Sequence, residues 1–188
     1  MRGLAIALML LVTSTSFASR TDYANVKRKF DQIEKQQVKP GSRISISSAE
    51  LNSYVQTELP KVAPPGIRQP LVVLNGHNTA TGTALIDFVK LRSAQGKAPN
   101  WILRNLFQGE HELSVTARVS SGAGKATVDI EKVELGGIPI SGGALDFLIR
   151  NYLVPNYPDA KIGQPFALKY RMDRLEVSPG MAYVTMSK

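Results

Sequence analysis

The chain holds two histidines and no cysteine, which narrows the chemistry its side chains can carry. His77 falls in the turn-like stretch N-G-H-N, and His111 stands between Glu110 and Glu112. Consecutive residues of a strand point to opposite faces, so that acidic pair and His111 cannot converge on one metal ion. Exposed histidines are expected at both places. Without cysteine, and without H-E-x-x-H, a closed zinc site has no ligand set. No serine lies in G-x-S-x-G or S-x-x-K, the settings that activate a hydroxyl nucleophile. Gly122–Ala123–Gly124 lacks the third glycine of a phosphate cradle and reads as a hairpin turn. Asp87 and Asp129 each sit between apolar neighbours but alternate onto the opposite face, where a strand carboxylate is solvated. Asp146 lies off an apolar helical stripe and reads as surface. No catalytic residue, metal ligand or cofactor is assigned on these grounds, and a non-enzymatic protein is expected.

The remaining chemistry is apolar. Trp101, Ile102, Leu106 and Phe107 crowd one short segment, and Leu145, Phe147, Leu148, Ile149, Tyr152 and Leu153 crowd another. Both exceed a single helical stripe. Each is either a helix sunk in the core or one with a face on a sheet and another lining a cavity. Trp101, Leu106, Phe107, Leu148, Ile149 and Tyr152 are therefore the candidate ligand-binding residues.

The elements that must position them follow from periodicity. Tyr23, Val26, Phe30 and Ile33 predict a basic helix over residues 22–37, either docked on the body or projecting as an arm. Residues 43–47 alternate as a strand. Ser47 and Glu50 then form the S-x-x-E pattern of a capping box, opening a helix over 48–59 that Pro60 should stop, with Leu51, Tyr54 and Val55 inward. Residues 70–76 and 79–92 read as two strands flanking N-G-H-N, a hairpin signal because Asn-Gly accepts positive φ. Ala80, Gly82 and Ala84 lie on one face of the second, which suggests that something packs closely over it. Residues 112–119 and 125–135 form another hairpin. Val128 and Ile130 are out of phase with Val133 and Leu135, so a bulge belongs near Glu131–Lys132, bending the sheet sharply. A helix over 144–153 and two strands around Ser178–Pro179–Gly180 complete the chain. With no βαβ rhythm, the fold class is α+β: a highly curved antiparallel sheet of about six strands, with short amphipathic helices in its concave face and an N-terminal helix.

The first residues resemble a secretory leader in three parts: Arg2, the apolar run from Leu4 to Val12, and the small-x-small site Ser16–Phe17–Ala18. The apolar run is about half of what a membrane span needs. Cleavage after Ala18 is expected, giving a signal peptide over 1–18, a basic helical arm over 19–41 and a single domain over 42–188, in the periplasm or secreted. The net charge of +8 would fall by one with Arg2. That excess suits anionic membrane surfaces, while export disfavours nucleic acid.

At "ISISSAELNSYVQTELP", and again at "VDIEKVELGGIPIS" and "FALKYRMDRLEVSPGMAYV", the chain resembles small exported bacterial proteins related to the tubular lipid-binding, BPI-like superfamily. The resemblance covers residues 44–184. It implies a helix lying in the concave side of a curved sheet, with a trough able to hold acyl chains and Leu51, Asn52 and Tyr54 seating the helix. The expected function is an exported envelope protein that binds a lipid or other lipophilic ligand. The alternative is a structural or protein-interaction module with a fully packed interior, and an envelope hydrolase or transferase stands third.

Overall fold

The computed structural model of the chain describes residues 14–94, 109–153 and 162–188. Its elements are α1 (Ser14–Glu34), β1 (Arg43–Ser47), α2 (Ser48–Val62), β2 (Ile67–Gly76), β3 (Thr79–Ile86), α3 (Phe88–Ala94), β4 (His111–Gly122) and β5 (Lys125–Leu135). Then come β6 (Ile138–Pro139), α4 (Gly142–Leu148), a π-helical turn (Ile149–Leu153), β7 (Phe166–Ala167), β8 (Met172–Ser178) and β9 (Met181–Met186). The fold is α+β with antiparallel strand pairing throughout both sheets.

The junction of β1 and α2 forms as its sequence dictates. The Glu50 amide donates to Ser47 Oγ at 3.1 Å, and the Ser47 amide donates to Glu50 Oε2 at 2.9 Å, so both halves of the capping box are made. Helix α2 does not stop at Pro60 but runs on to Val62, with Pro60 in its last turn. A proline there sacrifices one late hydrogen bond rather than a mid-helix ladder.

The expected single curved sheet is divided in two. A small sheet runs in the order β1–β9–β8, and a large one in the order β2–β3–β4–β5–β6 with β7 also on β5. The tips of both long hairpins reach β8. The Asn78 amide donates to Val177 O and the Gly124 amide to Asp173 O, both at 3.0 Å. Ser121 Oγ donates to Leu175 O at 2.6 Å and accepts from its amide at 2.8 Å. Between the hairpins' strands the predicted bulge is present. Thr116 pairs with Lys132 and Ala117 with Ile130, leaving Glu131 extra, so Val128, Ile130, Val133 and Leu135 all share one face.

The first hairpin turns within N-G-H-N as expected, β2 ending at Gly76 and β3 starting at Thr79. His77 and Asn78 carry φ of 52° and 59°, and Asn75 bridges Pro179. Gly76 is required by that approach, because a Cβ there would sit 2.8 Å from Pro179 Cδ.

Helix α1 docks on the body rather than projecting from it. Val26 and Ile33 are buried with Ile46, Val184 and Met186, and Phe30, Leu51 and Tyr54 pack around them. Tyr54 takes Phe30 edge-on at 4.7 Å and stacks with Tyr23 at 6.4 Å. Lys29 reaches from α1 into the capping box, donating to both Glu50 oxygens at 2.7 and 2.8 Å and to Ser45 O at 2.7 Å. Burial pushes the Glu50 carboxyl up, but Lys29 and the Ser47 amide and hydroxyl outweigh it and hold the group below the usual carboxylate range.

One edge strand of each sheet, β2 and β1, has backbone groups taken up by other parts of the chain. Asn52 holds β2 like a strand partner, accepting from the Val72 amide at 2.7 Å and donating to Val72 O at 2.8 Å. Gly180 donates to Leu74 O, and Pro70 has no amide to offer. On β1, Lys29 occupies the Ser45 carbonyl. Among the described residues, no helix is long and apolar enough to cross a membrane.

Candidate ligand-binding face

The register of the large sheet sorts its side chains into two unlike faces. One carries Thr81, Thr83, Ser114 and Thr116, with Thr81 and Thr116 hydroxyls 2.9 Å apart. The other is apolar in successive rows. Leu74, Ala80, Ala117 and Ile130 form one row, and Val72, Gly82, Val115 and Val133 the next. Ala84, Leu113 and Leu135 follow, then Ile67, Ile86 and His111. The period of two and the bulge at Glu131 together keep these rows on one side.

The two ends of this face are covered. At one end Ile86, Phe88 and Leu91 are buried, with Ile67, Ala84, Leu113, Leu135 and Leu148 packed around them. At the other the hairpin tips lean on β8. The rows between stay half-buried at Ala80, Gly82, Val115, Ala117 and Ile130, whereas Leu74 and Val133 are buried. Among the described residues, the close packing expected over Ala80, Gly82 and Ala84 is not found at Gly82. A Cβ at Gly82 would meet no described heavy atom within 4 Å, and its φ is an ordinary one.

The candidate residues separate accordingly. Trp101, Leu106 and Phe107 lie outside the described residues, as does the helix expected around them. Leu148 ends α4 and packs on the Ile86–Phe88–Leu91 cluster. Ile149 is half-buried at the start of the π-helical turn, whose backbone also contains Tyr152. Leu148 therefore belongs to the apolar face. Sequence reasoning missed the face itself, Val115, Ala117 and Ile130 above all; the alternation of each strand was readable, but not that four strands stack these rows together.

The carboxylate expectations need one correction. Asp87 is not on a strand: β3 ends at Ile86, and Asp87 caps α3, with Oδ1 accepting the Lys90 amide at 2.9 Å. It is 8% exposed rather than solvated. Burial pushes its carboxyl up, yet the Lys90 amide and ammonium together hold it below the usual range. Asp129 is exposed, as expected, and Asp146 is 61% exposed beside Arg150. His111 is half-buried on the apolar face, opposite Ile86, and not the exposed edge residue its position suggested. Among the described residues, no three His, Asp or Glu side chains gather as a metal site.

Basic charge concentrates on the outer side of α1. Lys27, Arg28 and Lys35 are exposed there along an open groove that also includes Tyr23, Asp31 and Gln32, with Lys27 paired to Asp31 at 3.0 Å. Compared with known protein families and with characterised proteins, the chain matches no family model and no individual protein.

Proposed function

We propose that this chain is an exported, non-enzymatic protein that binds a lipid or another lipophilic molecule on the apolar face of its large sheet. The observation that carries this reading is the half-buried middle of that face. Apolar side chains from four strands surround Gly82, and no described atom stands within 4 Å of where its Cβ would be. Each methylene that settles there gains about 0.8 kcal/mol by leaving water, so a chain of ten would gain up to roughly 8 kcal/mol before its ordering cost. The face offers aliphatic contact and one imidazole, which suits a hydrocarbon chain better than a sugar or a nucleotide. The basic outer side of α1 is compatible with an anionic membrane as the place where such a ligand is met.

The test is native mass spectrometry of the protein purified without its leader, followed by organic extraction. A stoichiometric lipid is expected, and returning it to stripped protein should shift the emission of Trp101, the only tryptophan. Lipid-free protein that takes up no long-chain fatty acid defeats the reading. An interaction module is favoured by one observation, the exposure of Leu71 (41%) and Val73 (46%) on the hydroxyl-rich face. With the β2 edge closed by Asn52, such a partner would have to meet the face and not add a strand.

A further inference from the structure

We infer that the end of the small sheet where β1 begins and β9 finishes is a docking surface for an anionic membrane. Three segments far apart in sequence meet there. The Gly41 amide donates to Ser187 O at 3.1 Å, and the Ser187 amide donates to Arg171 O at 2.8 Å. Lys188 lies alongside Gly41, its Cγ 3.7 Å from where a Cβ would stand. Tyr170 reaches back to the end of α1, its hydroxyl donating to Glu34 Oε1 at 3.4 Å. These contacts gather Lys35, Lys39, Lys169, Arg171 and Lys188 at one end of the molecule, all of them exposed. The same segments, 34–42, 168–173 and 187–188, hold only two acidic side chains, Glu34 and Asp173.

Two features set this end apart. Elsewhere Lys27, Arg43, Arg68, Arg118 and Lys132 each pair with a carboxylate at 3.1 Å or less. Among the described residues, none of the five cations gathered here forms an ion pair, so their field is left for a partner. The second feature is Tyr170, 39% exposed in a turn closed by the Met172 amide on Lys169 O. Tyr170 and Arg171 carry φ of 56° and 60°, a pair of angles that turns usually give to Asn and Gly. A ring with a polar tip, set among cations, suits the headgroup layer of a bilayer. Shape argues against a small anion. The hollow lined by Gln36, Val38, Pro40, Arg171, Met186 and Ser187 is about 10 Å3, room for one water at most. The cations are therefore spread over a surface and not gathered round a pocket. Lys35 also belongs to the basic groove on α1, but Tyr170 and the other four cations do not. Each cation brought to an anionic bilayer is worth about fivefold in partitioning.

The test is partitioning of the full chain onto vesicles of phosphatidylglycerol or phosphatidylcholine. The readout is the preference for phosphatidylglycerol, which an apolar leader, at home in either bilayer, does not set. Lys39→Gln, Lys169→Gln, Arg171→Asn and Lys188→Gln together should lower that preference about 100-fold, asparagine being chosen at 171 because it accepts positive φ. Lys27→Gln with Arg28→Gln, on the outer side of α1, should change it less than about threefold, because charges held away from the bilayer are screened. The chain has no cysteine, so single thiols can carry a nitroxide. On phosphatidylglycerol vesicles a label at Tyr170→Cys should lose contact with a water-soluble relaxant, and one at Ala49→Cys, beyond the far end of β1, should keep it. Equal losses from the two sets of neutralised cations, or a label at 170 that stays in water, overturns the docking surface. So does binding to heparin without binding to vesicles, which would make the partner an acidic polymer. The surface does not rest on the lipophile reading: docking by protein that carries no lipid and takes up no fatty acid upholds the one and defeats the other.

Discussion

Replacing Gly82 by valine separates a ligand face from a packed core in a single variant. Gly82 lies mid-strand in β3, paired with Val72 on one side and Val115 on the other. Its φ lies outside the left-handed region, and no described atom stands within 4 Å of where a Cβ would be. Valine therefore needs no backbone change. It should stabilise the strand by about 0.5–1 kcal/mol, because glycine loses more chain entropy on folding and offers nothing to pack. Its two methyl groups would rest against Val72 and Val115 and stand in the path of a bound chain. Displacing about three methylenes from the face forfeits about 2–3 kcal/mol of binding, roughly 30- to 150-fold in Kd. Urea unfolding followed by circular dichroism gives the first quantity, and titration with a fluorescent long-chain fatty acid gives the second. A loss of about 1–3 kcal/mol in stability would show that the space over Gly82 is filled and that valine overpacks it. Unchanged stability with unchanged binding would place the ligand elsewhere. Either result refutes the reasoning.

Other outcomes can be checked with the same unfolding assay. Ser47→Ala removes the acceptor of the Glu50 amide and should cost about 1 kcal/mol, whereas Leu51→Ala, half-buried against α1 and β1, should cost about 2 kcal/mol. Lys29→Met leaves the Glu50 carboxylate, about 10% exposed, without its cation, and a loss of about 2 kcal/mol or more is expected; Lys29→Met/Glu50→Gln should recover part of it. Glu50 and Asp87 are both held below their ordinary range, so the unfolded chain binds their protons first as pH falls. Stability should be level above about pH 5 and decline below the ordinary carboxylate values near 4, less steeply in Glu50→Gln; an unchanged slope in that variant would remove Glu50 from the account. If α1 meets anionic membranes, reversing Lys27, Arg28 and Lys35 to glutamate should weaken sedimentation with phosphatidylglycerol vesicles, and salt should do the same to the parent protein. Charge reversal is the proper test, since deleting α1 would remove Val26 and Ile33 from the core.

What the sequence determined by itself is what adjacent residues decide among themselves. The capping box needs only Ser47 and Glu50, three positions apart, and both of its bonds are made. The phase slip between Ile130 and Val133 is a property of one strand, and it becomes the bulge at Glu131. The turn in N-G-H-N was legible, with β2 ending at Gly76 and β3 starting at Thr79, but the close approach of Pro179 to Gly76 was not. Tertiary structure decided more at Asp87. Ile86–Asp87–Phe88 continues the alternation of β3, yet the Asp87 amide donates to Gly66 O and its carboxylate takes the Lys90 amide, so the strand ends and α3 begins. Only the fold could bring Lys29 to Glu50, divide the strands into two sheets, and assemble an apolar face from rows contributed by β2, β3, β4 and β5. Alternation says which side of its own strand a residue takes. Which strands lie side by side, and whether anything rests on Gly82, depends on contacts between distant segments whose energies no local window contains.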